Sequence, residues 1–154
     1  MTTEMRAESR AVIRTRTRAR ARAVQAVYAW DVLAGPPLER IAERLWDDLA
    51  LARDVRVRAS TLVRAVQSRG AEIDADLRNV TTNWRLERLG AIERAVLRLG
   101  AAELMYEGSE LREATPPRVV IQEAVLLAER FGSAASARFV NGVVDALARQ
   151  MGRL

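Results

Sequence analysis

The sequence predicts an all-α fold, a single-domain bundle of about seven helices. Apolar residues recur at helical spacing from one end of the 154-residue chain to the other. Gly, Pro and hydroxyl residues cut that pattern into pieces of helix length. No run reads convincingly as a strand. The length suits one domain that buries roughly two-thirds of its unfolded surface, and an apolar fraction of 49% is ordinary for such a chain.

The first helix is expected from about Ala19 to Ala34, with Ala23, Val27, Trp30 and Ala34 on one face and Gly35-Pro36-Pro37 as its stop. A second, Leu38 to about Ala52, aligns Leu38, Ile41, Ala42, Leu45 and Leu49. A third starts near Asp54 and carries Val55, Ala59, Leu62 and Val66. Gly70 marks a break or kink, after which Ile73 and Leu77 continue toward Asn83. Trp84 to Gly90 reads as a short helical link. From Ala91 to Tyr106 a further helix lines up Ile92, Val96, Leu99 and Glu103, so Glu103 points at the core or its margin. A carboxylate there fits a structural partner for an Arg better than a catalytic acid. Gly108 to Ala114 is a polar loop, and Thr115-Pro116-Pro117 starts the next helix, since Pro suits a first turn.

That helix shows the stripe Val120, Ala124, Leu127 and Phe131 and ends at Gly132. Ser133 or Ser136 caps the last, in which Val140, Val143 or Val144, and Leu147 face inward. Asn141-Gly142 is a hairpin signal between strands, but its apolar neighbours repeat at helical spacing. A helix-interior Gly costs ~1 kcal/mol relative to Ala, so close approach of another backbone is the expected reason for Gly142.

Charge is distributed unevenly. Arg14, Arg16, Arg18, Arg20 and Arg22 stand at alternate positions, and all 25 basic residues of the chain are Arg. Guanidinium groups bind phosphate bidentately and stack on bases. Biased codon usage explains the absence of Lys equally well, so the position of the cluster carries more information than its chemistry. Residues 1–22 hold seven Arg against Glu4 and Glu8, which accounts for the net charge of +5. The expected organisation is a basic, mobile N-terminal arm over 1–18 and an all-helical domain over 19–154. At about 100° per residue, Arg14, Arg18 and Arg22 share one side, while Arg16 and Arg20 point where Ala23, Val27 and Trp30 later point. Those two are expected to stay out of a dry core. Either the helix overshoots the bundle or the chain is non-helical until near Arg20. Both versions give an exposed arm that orders on an anionic partner.

Several functions are excluded. Without Cys, His or Lys there is no thiolate, no imidazole base and no Schiff base, so an enzyme is not expected. No apolar run approaches the ~20 residues of a membrane span, which together with the missing Cys fits a cytoplasmic protein. Asp47-Asp48, Asp74/Asp76 and Glu110/Glu113 read as solvated charges rather than metal ligands, and no cofactor is expected.

Arg18-Ala19-Arg20 followed by Ala23-Val24-Gln25-Ala26-Val27-Tyr28-Ala29-Trp30 opens a series of further pieces. These are Trp84 with Leu86-Glu87-Arg88-Leu89, the run Ile92-Glu93-Arg94-Ala95-Val96-Leu97-Arg98-Leu99, and Glu103-Leu104. Val120-Ile121-Gln122-Glu123-Ala124-Val125, Ala128, Phe131-Gly132 and Phe139-Val140-Asn141-Gly142-Val143 complete it. In this order they resemble the NusB family of bacterial transcription antitermination factors. The resemblance implies an RNA-binding adapter that pairs with NusE, binds boxA-type RNA and joins the RNA polymerase complex on ribosomal RNA operons. It places Arg16, Arg18 and Arg20 at the RNA, flanked here by Arg14 and Arg22. Gln25 and Tyr28 fit either a base contact or packing within the bundle, and Phe139 fits packing better than a base platform. The resemblance turns Glu87 and Glu93 toward NusE.

Thr17, Gln122, the long loop 108–115 and the lack of a basic C-terminal tail depart from the family pattern. Two other readings stand beside this one: a detached targeting domain of a ribosomal RNA methyltransferase system, and a helical interaction module that leaves nucleic acid alone. Monomer and homodimer are both compatible with the sequence.

Overall fold

The computed structural model describes residues 2–81, 85–105 and 115–154. Its elements are α1 (Thr3–Leu33), α2 (Leu38–Asp48), α3 (Arg53–Ser68), α4 (Gly70–Val80), a 3-10 turn (Leu86–Arg88), α5 (Ala91–Met105), α6 (Pro117–Phe131) and α7 (Ala134–Gln150). No strand occurs among the described residues. Trp84, Tyr106 and the polar segment 108–114 lie outside them.

The centre of the bundle is α5, which packs against α1, α3, α4, α6 and α7. Its sequence explains the position: Ala95, Val96, Leu97, Leu99, Gly100, Ala101, Ala102 and Leu104 are all buried, so the helix is apolar almost all round. Glu103 is the buried exception. Around it, α1 pairs chiefly with α3, and α6 with α7. Trp46 on α2 is fully buried and donates its indole N–H to Ser60 of α3 at 3.0 Å, so its one polar atom is satisfied.

Two boundaries differ from the sequence expectation, and two others follow it. α1 begins at Thr3 rather than near Ala19, because Thr2 caps it by accepting the Met5 amide at 3.2 Å and neither Gly nor Pro interrupts the chain before Gly35. The described side chains from 2 to 14 are exposed, so the helix overshoots the bundle. α2 stops at Asp48, where the chain turns through Ala50 at φ 49°. The break at Gly70 is a true one: Arg69 leaves helical geometry and Gly70 opens α4. Ser133 caps α7, its Oγ accepting the Ser136 amide at 3.1 Å.

The expected reason for Gly142 is wrong. A β-carbon there would meet nothing within 4 Å. The closer helix crossing is at Gly100, where a β-carbon would sit 3.6 Å from Val144 Cγ2 and 3.9 Å from Val120 Cγ1.

Candidate nucleic-acid interface

Helical geometry sorts the seven residues singled out on α1. Taking Arg14 as zero, Arg18, Arg22, Gln25 and Tyr28 all fall within a sector of about 120°, and the stripe is about 21 Å long. Arg14 and Arg18 are exposed, Arg22 and Gln25 half-buried, and Tyr28 is exposed. Arg22 donates from Nη1 to Gln25 Oε1 at 2.8 Å, which steadies both side chains along the stripe. The structure therefore brings five of the seven together on one solvent-facing line.

Arg16 and Arg20 point the other way. Arg16 is half-buried. Arg20 is only 4% exposed, against the expectation that it would stay clear of the core. Its Nε donates to Glu103 Oε1 at 2.6 Å, and its Nη1 lies 3.8 Å from Glu123 Oε1. Glu123 Oε1 also accepts from Thr17 Oγ1 at 3.0 Å. The core takes the guanidinium because a carboxylate is waiting for it, which is the condition under which buried charge is tolerated. The sequence held half of this: Glu103 reads there as a partner for an Arg, but 83 residues separate the two. With its charge already matched, Arg20 forms the footing of α1 and has no open side for a phosphate.

Two arginines of the stripe open onto a groove. Arg18, Ala21 and Arg22 of α1, the turn Leu49–Ala52, Val55 of α3 and Arg130 of α6 enclose about 410 Å³. Arg130 lies exposed at the C-terminal end of α6 with its guanidinium carbon 5.0 Å from the Phe131 ring centroid. Three guanidinium groups thus line one concave surface without a carboxylate in its lining, an arrangement that takes an anionic backbone. Sequence reasoning did not find Arg130, because nothing local distinguishes it among 25 arginines.

A second groove of about 430 Å³ lies toward the other end of α1, lined by Trp30, Leu38, Val66, Ile73, Asp74 and Arg98 among others. Its charges neutralise one another. Arg98 reaches Asp74 at 3.0 Å and Asp31 at 3.6 Å and stacks over Trp30 at 5.5 Å. No net charge is left to draw in a polyanion.

The two carboxylates expected to face a protein partner flank the start of α5. Glu87, in the 3-10 turn, is exposed and accepts from Arg78 Nη2 at 2.8 Å. That hydrogen bond holds its carboxyl below the ordinary glutamate range. Glu93 is half-buried, accepts from Ser136 Oγ at 2.8 Å, and folds back over Gly90, where a β-carbon would collide with its Oε2. The adjacent Arg94 pairs with Asp31 at 2.8 Å, so this end of α5 is pinned beside the last turn of α1, next to Tyr28. Phe139 is partly buried against the core, as packing requires, and Asn141 is exposed. Among the described residues no cluster of carboxylates has metal-site geometry, and no helix is long and apolar enough to cross a membrane.

A family model described as the NusB family matches residues 17–149. The chain is 42% identical to the transcription antitermination protein NusB of Anaeromyxobacter dehalogenans (strain 2CP-1) over 134 residues, 86% of this chain and 89% of that protein. It is 38% identical to the NusB of Sorangium cellulosum (strain So ce56) over 139 residues, 90% and 95% of the two. Its fold superposes on T. maritima NusB with a TM-score of 0.78 at 30% identity, covering 87% of this chain and 90% of that one. It also superposes on a chain from the crystal structure of antitermination factors NusB and NusE in complex with dsRNA, with a TM-score of 0.76 at 28% identity, covering 89% and 98%.

Proposed function

Because the chain belongs to the NusB family of transcription antitermination proteins, we propose that it is a non-enzymatic RNA-binding adapter in antitermination. It takes boxA-type single-stranded RNA together with NusE and joins the RNA polymerase complex on ribosomal RNA operons in the cytoplasm. The observation that carries this reading is the line of exposed Arg14 and Arg18 and half-buried Arg22, continued by Arg130 across the groove. Each guanidinium offers a phosphate two parallel N–H donors. Release of counterions makes the affinity salt-dependent, with a slope of about −0.7 per phosphate on a single strand. Gln25 and Tyr28 end the stripe with an amide and a ring for unstacked bases.

Residues 1–18 act as the basic arm of this reading, reaching past the bundle along the RNA. The Glu87–Glu93 end of α5 provides the face for NusE, and a partner of this kind is supported by the fold match to a chain solved in a complex of NusB and NusE with dsRNA. NusE then extends the RNA platform beyond what one arm on a neutral body offers.

Fluorescence anisotropy with a boxA-type RNA, a scrambled strand and a duplex, each with and without NusE, tests the proposal. Preferential binding of the boxA strand that tightens with NusE and weakens at least ten-fold in the combined Arg14→Ala, Arg18→Ala, Arg22→Ala variant is the expected result; three charge-assisted contacts are worth at least that much. Equal binding of all three RNAs, unmoved by NusE or by the substitutions, leaves the arginines a solvated tail.

A further inference from the structure

The groove that Arg18, Arg22 and Arg130 share holds more than a phosphate uses. Between the guanidinium groups its lining is apolar: Val55 of α3 is buried, and Leu49, in the turn from α2 to α3, is 41% exposed. That turn is fixed. The amides of Leu49, Ala50 and Leu51 donate to the carbonyls of Leu45, Asp47 and Trp46 at 3.0, 3.1 and 3.2 Å, and Trp46 is fully buried. Leu49 is therefore presented to the groove by backbone hydrogen-bonded into the end of α2.

Arg130 differs from the two arginines of α1. Its guanidinium carbon lies 5.0 Å from the centroid of the Phe131 ring, within cation–π range, and Phe131 packs against the core. The ring takes up one side of the cation, and the residue is otherwise exposed. Among the described residues neither Arg18 nor Arg130 has a hydrogen bond or an ion pair. Arg22 gives one nitrogen to Gln25. The groove thus sets two guanidinium groups with open donors on α1 against a planar cation backed by an aromatic ring on α6.

A phosphate gains from those charges and nothing from Leu49 and Val55, because only apolar surface gains by displacing water from them. A flat ring attached to a phosphate uses both. Its face stacks on the guanidinium plane and covers the apolar lining, while the phosphate meets Arg18 and Arg22. The enclosed 410 Å³ lies in the range of pockets that hold a small organic group. A nucleotide has this build, and single-stranded RNA supplies it with the base free of a stack.

We infer that the groove is a base seat: one unstacked RNA base rests between Arg130 and Leu49 while its phosphate is held by Arg18 and Arg22. This rests on the proposed RNA-binding function and adds to it a contact that senses the base itself. Arg130 then acts mainly through its plane, and its charge is secondary.

The test titrates boxA-type RNA, intact and with one abasic position moved along the strand, against the full chain with NusE at several salt concentrations. The variants are Arg130→Lys, Leu49→Ala and Arg18→Ala, with thermal melts of each free protein. One abasic position is expected to weaken parental binding roughly ten-fold at unchanged salt slope, as loss of one stacked base requires. Arg130→Lys keeps the charge and loses the plane. It is expected to bind intact RNA roughly ten-fold more weakly at the parental slope, and to be indifferent to that abasic position. Leu49→Ala is expected to weaken binding about three-fold. Both substitute exposed side chains, so melting temperatures are expected to stay within about 2 °C of the parent. Parental affinity in Arg130→Lys, or an abasic penalty that persists undiminished in it, overturns the base seat and leaves Arg130 a phosphate ligand, provided that Arg18→Ala shows a shallower slope. An unchanged slope in Arg18→Ala as well removes the RNA-binding reading. A Leu49→Ala protein that melts far below the parent also overturns the inference, since Leu49 then serves the turn.

Discussion

Arg18 and Arg20 are separated by one residue on the same helix and live in different solvents. Arg18 stands in water at the rim of a groove shared with Arg22 and Arg130. Arg20 is buried between α1, α5 and α6, with Glu103 on its Nε and Glu123 within ion-pair distance. Two residues on a helix turn a side chain by about 200°, so an alternating run of arginines necessarily splits between two faces. The tract that looks uniform in sequence has two jobs. One set fixes the helix to the bundle, and the other meets the anion. The division also makes sense of rigidity: a phosphate-binding line is effective only when the helix carrying it cannot roll, and the Arg20–Glu103 and Thr17–Glu123 contacts prevent rolling.

Breaking the buried side of the comparison has the largest expected effect. Glu103→Ala leaves the buried Arg20 with only the longer, 3.8 Å contact to Glu123, and removal of one partner of a buried pair costs about 3–5 kcal/mol. Urea unfolding monitored by circular dichroism reads this as a fall in midpoint at unchanged slope. The double variant Arg20→Met, Glu103→Leu is expected to recover most of the loss, because an apolar pair of similar volume needs no counter-charge. A Glu103→Ala protein within about 1 kcal/mol of the parent, a typical surface-pair effect, would mean that water reaches Arg20 and that the footing is elsewhere.

The exposed side behaves oppositely. Arg18→Ala and Arg22→Ala are expected to change unfolding free energy by no more than about 0.5 kcal/mol, as surface substitutions do. Each still takes about 0.7 from the salt slope of RNA binding. The contrast is sharpest if both quantities are measured on Arg18→Ala and Glu103→Ala in parallel. A loss of stability in Arg18→Ala comparable to that in Glu103→Ala erases the distinction between the two faces.

Different parts of this arrangement were legible to different depths. The seven helices could be read because core helices carry apolar stripes whose period needs no tertiary knowledge. The stretch before Ala19 has no such stripe, so its helix rests on a Thr cap and an absence of breakers, a local signal that looks the same in a solvated tail. The inward direction of Arg20 followed from helical angles alone. What reversed the conclusion was a carboxylate on α5, and sequence order does not reveal which stripe an inward arginine will face. Glu103, an acidic residue on an otherwise apolar stripe, was the visible half of that pair. Arg130, which completes the groove, had no visible half. Gly142 failed for a related reason: periodicity shows that a glycine sits in a helix, but only packing shows whether another helix lies against it, and the close crossing is at Gly100 instead.

The smallest expected effect separates ion pairs rather than arginines. Arg78–Glu87 has a distance of 2.8 Å, close to the 2.6 Å of Arg20–Glu103, yet both its side chains are more than half exposed. Distance alone would rank the two pairs together; solvent ranks them far apart, because water and salt screen the outer one. The Glu87 carboxyl is held below its ordinary value of about 4.5 by the Arg78 hydrogen bond. A depressed carboxyl pKa contributes stability that is present above the unfolded value and lost as pH falls through the folded one. Glu87→Gln is therefore expected to lower the melting temperature slightly at pH 7, with the difference from the parent vanishing once pH drops well below 4.5 or when salt approaches about 1 M, where screening is nearly complete. Glu103→Ala should keep its deficit at high salt, since a pair out of water is screened far less. Equal salt sensitivity in the two variants would place Arg20 and Glu103 in the same aqueous environment as Arg78 and Glu87, and the two faces of α1 would then differ in direction but not in solvent.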